Sequence, residues 1–78
     1  MITSDKLVQV GLKESGPITD QSLTYMSYDF SANGSYIGVS NILDKRGNIQ
    51  EQIFTINDRE LPKVLSVNEI ENFISIIS

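Results

Sequence analysis

The sequence predicts an α+β fold: a four-stranded, mainly antiparallel sheet with one C-terminal helix packed on one face. Three features lead to it. Asn33-Gly34 lies between two alternating segments, as the loop of a tight hairpin does. Asp44-Lys45-Arg46-Gly47 joins the second of those segments to a third, and Ser66-Val67-Asn68-Glu69 opens an apolar stripe at helical spacing.

The first strand is expected over about residues 6–13, where Leu7 to Leu12 is rich in β formers and Val8, Val10 and Leu12 recur at period two. Ser15-Gly16-Pro17 marks a loop from Glu14 to Gln21. That connection is too short for a right-handed crossover, so the first strand should pair antiparallel beside the second or the fourth. The second strand, about 22–32, alternates Met26, Tyr28 and Phe30 against Tyr25, Ser27 and Asp29. A type I′ turn needs positive φ at both central residues, which Asn and Gly tolerate. With Asn33-Gly34 as that turn, Ala32 pairs with Ser35, and Phe30, Tyr28 and Met26 face Ile37, Val39 and Asn41 on a third strand, about 35–43. In the next turn Asp44 takes the first position of a type I turn and Gly47 the left-handed position of a G1 bulge. Pairing Asp44 with Asn48 then sets Leu43 against Ile49 and Val39 against Ile53 on a fourth strand, about 48–57. The second, third and fourth strands form a meander.

Leu61-Pro62 interrupts regular structure, because proline lacks an amide donor and has a fixed φ. A helix follows over about 67–77. Ser66 caps it, Glu69 reaches back, and Leu65 and Ile70 have the spacing of a hydrophobic staple. Val67, Ile70, Phe73, Ile74 and Ile77 make one apolar stripe, and Glu69 and Glu71 lie near the helix N-terminus, where negative charge is favoured.

Residues 1–78 are enough for one small domain, which at this size buries roughly 60% of the surface its unfolded chain exposes. The apolar fraction of 40% and charged fraction of 21% are those of a folded protein rather than a disordered tail. Ten Asp and Glu against six Lys and Arg give a net charge of −4. That balance opposes phosphate binding, so no nucleic-acid partner is expected. Lys45-Arg46, the one adjacent basic pair, reads as a solvated loop tip, and the acids from Asp5 to Glu71 are too dispersed for a mimic of a phosphate backbone. The first residues carry no basic segment followed by an apolar one, and no run approaches the roughly 18 apolar residues that cross a bilayer. A cytoplasmic or virion-associated protein is expected, not one secreted by a signal peptide, and with no membrane partner. Asn33-Gly34-Ser35 is accordingly read as a turn rather than a glycosylation site.

The chain has no Cys and no His, which removes disulfides, thiolate chemistry and the usual metal ligands and general base. No calcium-loop pattern of acids is present, and Asp58, Arg59 and Glu60 read as a turn with local ion pairing. Lys6, Lys13, Lys45 and Lys63 lie in polar segments, without the desolvation that activates a lysine. Glu69 and Glu71 point apart on a helix, and the glycines are isolated rather than gathered in a phosphate loop. No metal, no cofactor and no enzymatic activity are expected.

One feature points toward function. The register assigns Met26, Tyr28, Phe30, Ile37, Val39, Leu43, Ile49 and Ile53 to the helix face and sets Gly38 opposite Phe54 on the other. The opposite face then carries Leu23, Tyr25, Tyr36, Ile42, Phe54 and Ile56 among Ser27, Ser40, Gln50 and Gln52. Such a patch, a few hundred Å², is about the size at which an exposed surface implies a partner, unless the first strand, the 14–21 loop or Met1-Ile2 folds over it. The mixture of Tyr and small polar residues suits a protein surface. The expected function is that of a non-enzymatic structural or assembly subunit of a phage or bacterial assembly, packing an open sheet face or edge on neighbouring chains. The alternative is a small phage- or bacterium-encoded inhibitor or adaptor that binds one macromolecular target.

Overall fold

The chain forms α1 (Ser4–Gln9), β1 (Lys13–Asp20), β2 (Leu23–Ala32), β3 (Ser35–Leu43), β4 (Ile49–Ile56), β5 (Arg59–Glu60) and α2 (Val67–Ile77). The computed structural model describes all of residues 1–78. The strands make one antiparallel sheet in the order β1-β2-β3-β4-β5, so the sheet has five strands rather than four. Every neighbour in space is a neighbour in sequence, and two-residue turns make three of the connections.

The largest departure from the sequence reading is at the start. Residues 6–13 are not a strand; they contain most of α1 and its exit. Thr3 caps α1 by accepting a hydrogen bond from the Lys6 N–H at 3.2 Å, and Asp5 lies in the first turn. The exit is a Schellman motif: Gly11 N–H donates to Val8 O at 3.0 Å and Leu12 N–H to Leu7 O at 3.1 Å. That motif requires a left-handed residue, and Gly11 has φ +114°. It also brings Leu12 back beside Leu7, and both are buried in the core. Period two was misleading here because Val8 is 48% exposed.

β1 occupies the segment expected to be a loop. It is legible as a strand only from its pairing, since all eight of its residues are exposed and none alternates with a core. A bulge between Ser15 and Ile18 contains Gly16-Pro17, joined by a cis peptide bond. Asp20 pairs with Leu23 across a turn in which Gln21 takes φ +58°.

The β2–β3 hairpin follows the expected register, with Ala32 opposite Ser35, Phe30 opposite Ile37, Tyr28 opposite Val39 and Met26 opposite Asn41. Asn33 and Gly34 take φ +54° and +79°. The β3–β4 turn also forms as expected: Asp44 N–H donates to Asn48 O, Gly47 is left-handed, and Asp44 Oδ1 accepts from Arg46 and Asn48 N–H. Leu43 faces Ile49, but Ile42 faces Glu51, so Gln50 is an extra residue on β4.

That bulge reverses the face of everything after it. Val39 faces Phe54 rather than Ile53, Ile37 faces Ile56, Asn41 faces Gln52, and Gly38 faces Thr55 rather than Phe54. Phe54 and Ile56 therefore lie on the helix side and Ile53 on the other. Without the bulge, Glu51 and Thr55 would face the core in place of Gln52, Phe54 and Ile56. Burying a carboxylate without a partner is costly, and Phe54 fills more core than Ile53 does.

Asn57 and Asp58, at φ +50° and +69°, make a further tight turn that returns the chain as β5. Both helices pack on one side of the sheet: Leu7 and Leu12 from the α1 region, Leu65, and Ile70 from α2 share a core with Tyr28, Ile37, Val39 and Phe54. Ser66 and Glu69 form the expected capping box, and Leu65 and Ile70 are both buried.

Two measurements check these assignments. Phe54→Ala should cost about 3–5 kcal/mol of unfolding free energy in urea, against less than about 1 kcal/mol for Ile53→Thr; the reverse order would contradict the Gln50 bulge. Lys63 Nζ, 2.7 Å from Glu69 Oε2, together with the Ser66 N–H, lowers the Glu69 carboxyl to about 2. A depressed folded pKa contributes stability above the unfolded value of 4.5, lost as pH falls toward 2. Glu69→Gln should therefore flatten the stability profile over that window and leave its remaining slope unchanged.

Candidate open sheet face

The side of the sheet away from the helices is built in rows by the ladder. One row runs Ile18, Tyr25, Ile42 and Glu51; the next runs Ser15, Ser27, Ser40 and Ile53. A third runs Lys13, Asp29, Gly38, Thr55 and Glu60, and beyond it Tyr36 stands beside Ser31. Leu23 and Asp20 close the opposite end.

Of the six residues expected on this face, Leu23, Tyr25, Tyr36 and Ile42 are on it. Phe54 and Ile56 are not. Phe54 is a core residue, and Ile56 packs against the core. Two residues not expected here, Ile18 and Ile53, take their place. Ile53 could have been found from the face parity of Glu51, which a buried sheet side would not accept. Ile18 had no such signal, because β1 shows no alternation.

The face therefore divides. Ile18, Leu23, Tyr25, Ile42 and Ile53 gather toward one end, where Leu23 is 50% and Ile18 45% exposed and the other three are half-buried. Tyr36 is apart from them, across the row that contains Asp29 and Gly38. Its hydroxyl donates to Asp58 Oδ1, and that hydrogen bond raises the phenol pKa above its ordinary value. Gly38 lets β3 and β4 bring Thr55 in close: Thr55 Oγ1 donates to Gly38 O at 3.3 Å, and a Cβ on Gly38 would lie 2.9 Å from Thr55 Oγ1.

Charge surrounds the apolar end. Asp29 and Glu51 are exposed on the same face, whereas Asp44 is occupied by its own turn. No three acids gather into a group that could hold a metal ion, and no helix is long and apolar enough to cross a membrane. Lys63–Glu69 is the sole ion pair, so Arg59 does not pair with Asp58 or Glu60 as the sequence had suggested. Comparison with family models, curated proteins and solved structures finds no match to this chain.

The geometry at Gly38 is open to a thermodynamic cycle. Gly38→Ala should destabilise the fold by about 1–3 kcal/mol by forcing Thr55 to move. In a Thr55→Ala background the same change should cost clearly less; equal costs in both backgrounds would mean that Thr55 does not set the approach.

Proposed function

We propose that this chain is a non-enzymatic structural or assembly subunit that packs on neighbouring protein chains through the open sheet face. The observation that carries this reading is the placement of both helices on one side of the sheet, with Ile18, Leu23, Tyr25, Ile42 and Ile53 under no element on the other. Grouped half-exposed apolar side chains lose contact with water when a second surface covers them, at roughly 25 cal/mol per Å². Tyr25 supplies a hydroxyl at the margin, as interface tyrosines do.

A second reading, a small inhibitor or adaptor of one macromolecular target, draws support from Asp29 and Glu51. They place free carboxylates around the apolar group, which suits a basic protein target.

Light scattering coupled to size exclusion, over a concentration series, separates these readings. The assembly reading expects a mass above that of one chain that rises with concentration, and a shift to monomer in Leu23→Ser/Tyr25→Ser with the thermal transition kept within a few degrees. A strict monomer that also binds no hydrophobic dye would overturn it. Loss of binding to an isolated target in Asp29→Asn or Glu51→Gln would favour the inhibitor.

A further inference from the structure

β4 runs from Ile49 to Ile56, but β5 covers only its last two residues, pairing Glu60 with Thr55 and Arg59 with Ile56. One more bond follows, from Leu61 N–H to Phe54 O at 2.7 Å. Pro62 comes next, has no amide donor, and the chain leaves the sheet. Backbone groups alternate in direction along a strand, so Gln52, two residues before Phe54, turns its N–H and C=O toward this same edge. No strand stands there. In place of the missing continuation of β5 is a cleft of about 150 Å³ between Glu51–Phe54 of β4 and Glu60–Val64.

The cleft has apolar and charged walls. Ile53, Leu61 and Val64 line it, and Val64 is 61% exposed. Three charged side chains also line it: Glu51, Glu60 and Lys63. Lys63 is neutralised by Glu69, whereas neither glutamate has a cationic partner. Glu51 and Glu60 both belong to the open side of the sheet, on either side of Ile53. The free charge at the cleft is therefore negative.

The other edge of the sheet is unsuited to strand addition. β1 is interrupted by the Gly16-Pro17 bulge and starts with Lys13 and Glu14, devices that keep an edge from pairing. The unpaired part of β4 carries a bulge of its own at Gln50, but Gln52 lies beyond it, and the segment has no proline and no lysine.

We propose that the β4 edge at Gln52 takes an extended segment of a partner protein as an added strand, with an apolar side chain turned to the helix side toward Leu61 and a Lys or Arg on the open side between Glu51 and Glu60. The backbone supplies affinity through the Gln52 N–H and C=O, and the two carboxylates supply selection for a basic segment. A second copy of this chain is a poor occupant, because it brings a net charge of −4 to an acidic cleft. The site shares Glu51 and Ile53 with the open face, but its strand pairing at Gln52 needs no assembly through that face.

The test is an NMR titration of the full chain with a capped eight-residue peptide of alternating valine and lysine. Controls replace lysine by glutamate, or N-methylate the amides on the pairing edge. Amide shifts should change at Glu51–Phe54 and Leu61–Val64, and exchange of the Gln52 N–H should slow. Added salt should weaken binding, and Glu51→Gln/Glu60→Gln, both at exposed positions, should weaken it by about three- to tenfold. No shift at these residues up to millimolar peptide would overturn the proposal. So would equal binding of the glutamate or N-methylated peptide, or shifts confined to Ile18, Leu23 and Tyr25. Failure here leaves the scattering result for the open face untouched, and the reverse also holds.

Discussion

A single extra residue in β4 decides what each side of the sheet presents. Side chains alternate along a strand, so the Gln50 bulge transfers Phe54 and Ile56 to the helix side and turns Glu51, Ile53 and Thr55 outward. The core depends on this exchange. Phe54 meets Val39 across the ladder and joins Tyr28, Ile37 and Ile70 beneath the helices. The same exchange thins the apolar content of the open face and leaves Glu51 beside the cleft.

The bulge also sets Gln52 opposite Asn41 within the buried side. Gln52 Nε2 donates to Asn41 Oδ1 at 2.8 Å and to Ile2 O at 2.8 Å, while its Oε1 accepts from Ile2 N–H at 3.0 Å. One side-chain amide thus binds a backbone residue as a neighbouring strand would, and anchors the approach to α1. Asn41 Nδ2 is buried without a partner, which costs about 1–3 kcal/mol. At the far end of the core, Asn33 in the β2–β3 turn donates to Ile77 O and holds the last turn of α2. Both helices are thereby attached to the sheet by polar contacts as well as by packing.

The two exposed features follow from how little chain remains once the core is built. Two short helices and their connections cover one side of a five-stranded sheet, which leaves the other side in contact with water. β5 is stopped by Pro62, because the same chain must turn back to supply Leu65 and α2 to the core. The partly covered β4 edge is the consequence of that return. An apolar group framed by acids on the face, and an acidic cleft at the edge, both suit protein partners.

The β2–β3 register, the Asp44–Gly47 turn and the capped helix over 67–77 were legible because each rests on local chemistry: positive φ at Asn33-Gly34, side-chain acceptance at Asp44, and the Ser66–Glu69 box. The Schellman exit at Gly11 and the turn at Asn57-Asp58 were local too, and their signals lay within short range of each residue. β1 and the Gln50 bulge are different. β1 is a strand only because β2 offers it an edge, and no face of it is buried. The bulge is chosen by competition between two sets of β4 side chains for one core, which depends on helices distant in sequence. Local hydrogen bonding and backbone preference were therefore determined by the sequence itself, whereas the assignment of Phe54 inward and Ile53 outward was decided only when the tertiary core gave one side of β4 a lower cost of burial.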